Sequence, residues 1–188
     1  MKRLLVLALG LMVIGLAFSP AYADSNTSGA AHVLVNVNPI IAITPVPQAS
    51  IPTVQLGKFI VPISWLIGAN AQQVALTLEA SALFKADDPT SPSFIPVDPT
   101  TAVAVLIPNG NAINGAANSL GTLTVTTSDT ISGFPLVSTG TTTFQSSQAG
   151  TFSQTITTNV PYNQSNNELP KGQYSGWVKL LGVIVPDP

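Results

Sequence analysis

The chain has 188 residues and a formal net charge of −2, with only 7% of its residues charged. That length fits one domain, and the weakly acidic balance gives no footprint for a nucleic-acid partner. The complete absence of cysteine excludes a thiol nucleophile, a cysteine-held metal and a disulfide framework. Sixteen prolines and fourteen glycines, scattered along the chain, cut it into segments too short for long helices. Aliphatic and β-branched residues remain plentiful enough to build a core, so the composition predicts sheets, not disorder.

At the N-terminus, Lys2-Arg3 precede an apolar run from Leu4 to Phe18, closed by Ser19-Pro20 and the small-x-small tripeptide Ala21-Tyr22-Ala23. This is the grammar of a secretory signal peptide, and the run falls short of the ~20 apolar residues that a spanning helix needs. Residues 1–23 are therefore expected to be cleaved on export through the Sec pathway, the alternative being an uncleaved anchor. The processed chain would carry four lysines against eight acids, a formal charge of −4.

A polar, small-residue start at 24–30 has no reason of its own to be ordered. Next, Ala31, Val33, Val35 and Val37 alternate with His32, Leu34 and Asn36 as strand residues do. The proline-rich stretch 39–47 reads as an extended edge segment or linker. Two-residue periods then recur at Val74, Leu76, Leu78 and Ala80, at Val103, Val105 and Ile107, and at Leu123 and Val125 between threonines. A weaker run is Ile156, Thr158, Val160 and Tyr162, and the last is Tyr174, Gly176, Val178 and Leu180 against Trp177, Lys179 and Leu181. The stretch 80–85 is read as the end of its preceding strand. Turn signals separate these runs at Asp87-Asp88-Pro89, Asp98-Pro99, Asn109-Gly110, Asn114-Gly115, Ser132-Gly133 and Asn166-Asn167. Short strands with no helical pattern between them predict an all-β, immunoglobulin-like antiparallel sandwich.

Both ends of the processed chain resemble the major subunits of colonisation-factor-type fimbriae, the disulfide-free alternate class of chaperone–usher pilins. The residues that carry the resemblance are Val33-Leu34-Val35-Asn36-Val37-Asn38-Pro39-Ile40-Ile41 and Gly172-Gln173-Tyr174-Ser175-Gly176-Trp177-Val178-Lys179-Leu180. The chain departs from the family in a proline-rich insert at 89–99 and in its ending Val185-Pro186-Asp187-Pro188. The resemblance implies a sandwich that lacks one strand and is completed by donor-strand exchange, with residues 24–38 as the donated extension and 39–188 as the domain. Ala31, Val33, Val35 and Val37 would fill the neighbour's groove, Asn38 and Pro39 would form the hinge, and Tyr174, Gly176, Val178 and Leu180 would line the groove's last-strand edge. Its partners would be copies of itself in a head-to-tail polymer, a periplasmic chaperone, an outer-membrane usher and a host or surface receptor. The alternative for residues 31–37 is pairing in cis, as the first strand of a complete sandwich.

Catalytic chemistry finds little footing. His32 is the only histidine and has no fixed acid nearby in sequence. Asp87, Asp88 and Asp98 lack the ligand spacing of a calcium loop and read as turn residues, and Glu79 and Glu168 fall on different segments, so no carboxylate pair is indicated. Trp65, Trp177 and the phenylalanines read as core fillers rather than a glycan-stacking platform. The expectation is a non-enzymatic fimbrial subunit without cofactor or metal, located in the periplasm and then at the cell surface. The competing expectation is a monomeric secreted or surface-attached sandwich that binds a glycan or a host protein.

Overall fold

The structure, a computed structural model, describes residues 34–47, 53–107, 112–113, 118–126, 128–147 and 150–186. Every regular element among them is a strand. The chain divides into two units, Met1–Val37 and Asn38–Pro188. Residues 34–37 of the first carry no strand.

The second unit is an antiparallel sandwich. One sheet has the order β1 (Ile41–Val46), β2 (Gly57–Ala69), β11 (Phe152–Gln164), β6 (Ala102–Leu106), β8 (Ser119–Thr122). The other runs β13 (Val178–Ile184), β3 (Gln73–Ala80), β10 (Val137–Ser146), with β9 (Thr124–Thr126) and β7 (Ala112–Ile113) along the far side of β10. A small third sheet joins β12 (Tyr174–Ser175), β4 (Leu83–Lys85) and β5 (Phe94–Ile95). The expected all-β sandwich is thus present. Its β1-β2-β11-β6 and β10-β3-β13 neighbours resemble the A-B-E-D and C′-C-F strands of the immunoglobulin arrangement in space, although β10, at the C′ position, follows β6, at the D position, along the chain. No strand among the described residues occupies the G position beyond β13.

Alternation builds the core. Val74, Leu76, Leu78 and Ala80 of β3 are buried, as are Val103 and Val105 of β6 and Ile156, Thr158, Val160 and Tyr162 of β11. The weak run in the sequence is therefore half of one of the two longest strands, and its polar member is satisfied: Trp65 donates from Nε1 to Thr158 Oγ1 at 2.9 Å. Gln154 on the same strand is different, because it is 8% exposed and neither side-chain amide atom has a hydrogen-bond partner.

Three expectations are corrected. Leu123 and Val125 do not share a buried face. Leu123 is buried where the chain leaves β8 for β9, crossing from one sheet to the other, and Val125 is exposed. The stretch 80–85 does not prolong β3, which ends at Ala80; β4 is a separate strand of the small sheet. The run beginning at Tyr174 is two strands, β12 and β13, in different sheets. Gly176 lies at the break, where a Cβ would stand 2.6 Å from the Ala82 carbonyl and 2.8 Å from Ser81 Oγ. The turn at Ser132-Gly133 is as read: Ile131 pairs with Phe134, and φ is +51° and +85° at the two central residues, a type I′ hairpin. Asn109-Gly110 and Asn114-Gly115 lie outside the described residues.

Candidate assembly edge between β1 and β13

β13 pairs with β3 from Val178↔Ala80 to Ile184↔Val74, and nothing among the described residues pairs with its other side. Seven residues of backbone thus present a free edge, and such an edge is a template for another strand. Edge strands are commonly protected by proline, bulges or several charges. β13 contains only Lys179, which reaches Glu79 at 3.4 Å on the outer face.

Beneath that edge the inward positions are Val178, Leu180, Gly182 and Ile184. At Gly182 a Cβ would come within 2.6 Å of Ile41 Cδ1 and 2.8 Å of Ile43 Cδ1. Two side chains of β1 therefore fill the notch that this glycine leaves, and β1 closes the Gly182 end of the edge. Toward Val178 the two strands leave a cleft of about 270 Å³, lined by Ile43, Pro45, Trp65, Ile131, Val178 and Leu180. Trp177 stands at its rim, 49% exposed, so it is not the core filler that its composition suggested. Trp65, Phe84, Phe134, Phe144 and Phe152 are core residues, whereas Phe59 is half-buried and stacks on Tyr162 at 5.7 Å, and Phe94 is exposed.

Of the four residues expected along the groove edge, Val178 and Leu180 lie on β13 and face inward. Tyr174 lies on β12, where its hydroxyl donates to the Pro170 carbonyl at 2.7 Å, and Gly176 precedes β13. Of the expected donor residues, Val35 and Val37 are each 76% exposed. Ala31 and Val33 lie outside the described residues, as does His32. At the expected hinge, the Asn38 carbonyl accepts from Asn70 Nδ2 at 3.0 Å, and the N–H of Ile40, just beyond Pro39, donates to Asn70 Oδ1 at 2.6 Å. No sequence signal marked Asn70, which sits in the polar Asn70-Ala71-Gln72 turn between β2 and β3.

The acidic residues have local partners. Asp87 Oδ1 accepts from Ser175 Oγ at 2.6 Å, and Asp88 Oδ1 accepts from both the N–H and the hydroxyl of Thr90. Asp98 is buried; its carboxylate pairs with Lys58 Nζ at 2.7 Å and accepts from the Thr100 N–H and the hydroxyls of Thr100 and Thr101. Among the described residues no three His, Cys, Asp or Glu side chains converge as a metal set would. The chain matches no protein-family model, and no curated protein is found similar to it.

Proposed function

We propose that this protein is the repeating structural subunit of a surface fimbria, exported as a precursor and polymerised by donation of residues 31–37 to the β13 edge of the next copy. The observation that carries the reading is the unpaired edge of β13 above an apolar cleft, at the position where an immunoglobulin-like sheet would place its last strand. A strand added there gains a row of backbone hydrogen bonds, and its alternate side chains enter the cleft. Each valine buried in this way contributes roughly 1.5–3 kcal/mol before ordering costs. The exposed Val35 and Val37, spaced two apart on a segment without a strand of its own, suit that role. Contact of this head-to-tail kind does not close on itself, so it propagates a filament.

A periplasmic chaperone would cover the β13 edge before assembly and an outer-membrane usher would receive the subunit; an exposed apolar edge needs such cover to avoid aggregation. The second reading, a monomeric binding module, rests on the half-exposed Trp177 and needs no partner strand. One experiment separates the two. Processed protein refolded at high concentration should form ladders on gels that resist SDS until boiled. Deleting residues 24–38 should abolish them while leaving a sheet-rich domain with a cooperative melt. Ladders that persist after the deletion would overturn the donor-strand reading.

A further inference from the structure

A tethered segment meets its own domain at an effective concentration on the order of mM for a short linker. That exceeds the concentration of a second copy in most solutions. A subunit that donates residues 31–37 therefore needs something that stops the segment from capping its own β13 edge. This question rests on the donor-strand reading above, and the geometry at the start of β1 answers it.

Ile41 lies beside Gly182, whereas Pro45 lies toward Val178, so β1 runs antiparallel to β13 along the cleft. To cap its own edge, a strand at 31–37 would have to reverse into β1 using only residues 38–40. Those are the residues that Asn70 holds. The Asn70 N–H donates to the Ile40 carbonyl at 3.2 Å, the Ile40 N–H donates to Asn70 Oδ1 at 2.6 Å, and Asn70 Nδ2 donates to the Asn38 carbonyl at 3.0 Å. The β1–β2 register, which runs to Ile41↔Ala69, is thereby carried on to Ile40 opposite Asn70. Pro39 adds its own constraint, since it fixes φ near −65° and pushes Asn38 toward extended conformations. Backbone held in line with β1 is not available for a tight reversal.

We infer that Asn70 is a positioning residue for assembly: by holding Asn38 and Ile40 in line with β1, it bars residues 31–37 from their own β13 edge and reserves them for a second copy. Loss of its side chain removes two hydrogen bonds at once, each of modest net strength. The expected consequence is about a tenfold shift from polymer toward self-capped monomer.

The test refolds the processed chain from denaturant over a range of concentrations, as wild type, Asn70→Ala, Asn70→Asp and Pro39→Gly. Self-capping is unimolecular and polymerisation bimolecular, so at each concentration the ratio of monomer to polymer should be about tenfold higher for Asn70→Ala than for wild type, and about tenfold more protein should be needed to reach the same polymer share. Those monomers should refuse an added synthetic peptide of residues 31–37, which wild-type monomers bind. Asn70→Asp keeps the acceptor for Ile40 and should fall between the two; Pro39→Gly should act like Asn70→Ala. Asn70 is exposed, so the far-UV circular dichroism of the refolded processed chains should match between wild type and Asn70→Ala and show that folding is intact. Wild-type and Asn70→Ala chains that polymerise equally would overturn the inference and leave the donor-strand reading standing. Wild-type chains that neither polymerise nor bind the peptide would overturn both.

Discussion

The corner around Asp98 and the edge of β13 are opposite solutions to the same problem. At Asp98 a charge is buried, yet every partner it needs is supplied within the chain by Lys58, Thr100 and Thr101, and the Asp98 N–H is bonded to the Pro161 carbonyl. At β13 all residues but Lys179 are apolar or glycine and cheap to bury, yet one side of its backbone has no partner strand among the described residues. The contrast teaches that this chain satisfies a buried charge internally at Asp98, even though it leaves the Gln154 amide without a partner. The open edge of β13 lies on its side away from β3, above the cleft that Ile43, Pro45, Trp65, Val178 and Leu180 line.

The comparison sharpens if the satisfied corner is broken. Asp98→Ala, which takes the buried acceptor away from the Thr100 N–H and the Thr100 and Thr101 hydroxyls while the half-exposed Lys58 keeps water as a partner, should destabilise the domain by about 1–3 kcal/mol in denaturant titrations without altering the pattern of polymer bands. Acid should act in the same place. Burial pushes the Asp98 carboxyl up, but the Lys58 ammonium, the Thr101 and Thr100 hydroxyls and the Thr100 N–H outweigh it and hold the group well below the usual carboxylate range. A carboxyl lowered on folding contributes stability that is complete above its unfolded value of about 3.9 and fades as the pH falls below it. Wild type should therefore lose stability below about pH 4, and Asp98→Asn should show a shallower acid slope. The smaller effect comes from the one orphaned side chain among the described buried residues. Gln154→Leu removes an amide that is buried without a partner and should raise stability by about 1–2 kcal/mol; a loss of similar size would mean that the amide has a bonding partner in solution.

Much of the fold was legible because one face of a strand is buried at a time. Val74, Leu76, Leu78 and Ala80, or Ile156 through Tyr162, write that burial as a period of two. β2 escaped because it is apolar on both faces: Phe59, Val61, Ile63, Trp65 and Ile67 point inward while Ile60 and Leu66 stand exposed, and Pro62 interrupts the pattern beyond the end of β1. β10 escaped for the opposite reason, since Thr139, Thr141, Thr142 and Thr143 give it almost no apolar signal; its place is fixed by pairing with β3. Leu123 and Val125 misled because strict alternation assumes one sheet, and the chain changes sheets between them. At the candidate edge, Val178 and Leu180 were readable from alternation. The break at Gly176 and the hold of Asn70 on Asn38 and Ile40 were not, because both arise from contacts with residues that are distant along the chain: Ser81 and Ala82 in one case, and Asn70 itself, some thirty positions away, in the other.

The absence of native cysteine makes the central claim directly measurable. Two populations of processed chain, one carrying only Val35→Cys and the other only Leu180→Cys, can be refolded together and oxidised under mild conditions. A donated strand seated over the cleft would give disulfide-linked heterodimers between the two populations, absent when either is refolded alone. If the mixed populations give no such dimers, while a single chain carrying both substitutions cross-links to itself, the strand belongs to its own domain and the polymer account is contradicted.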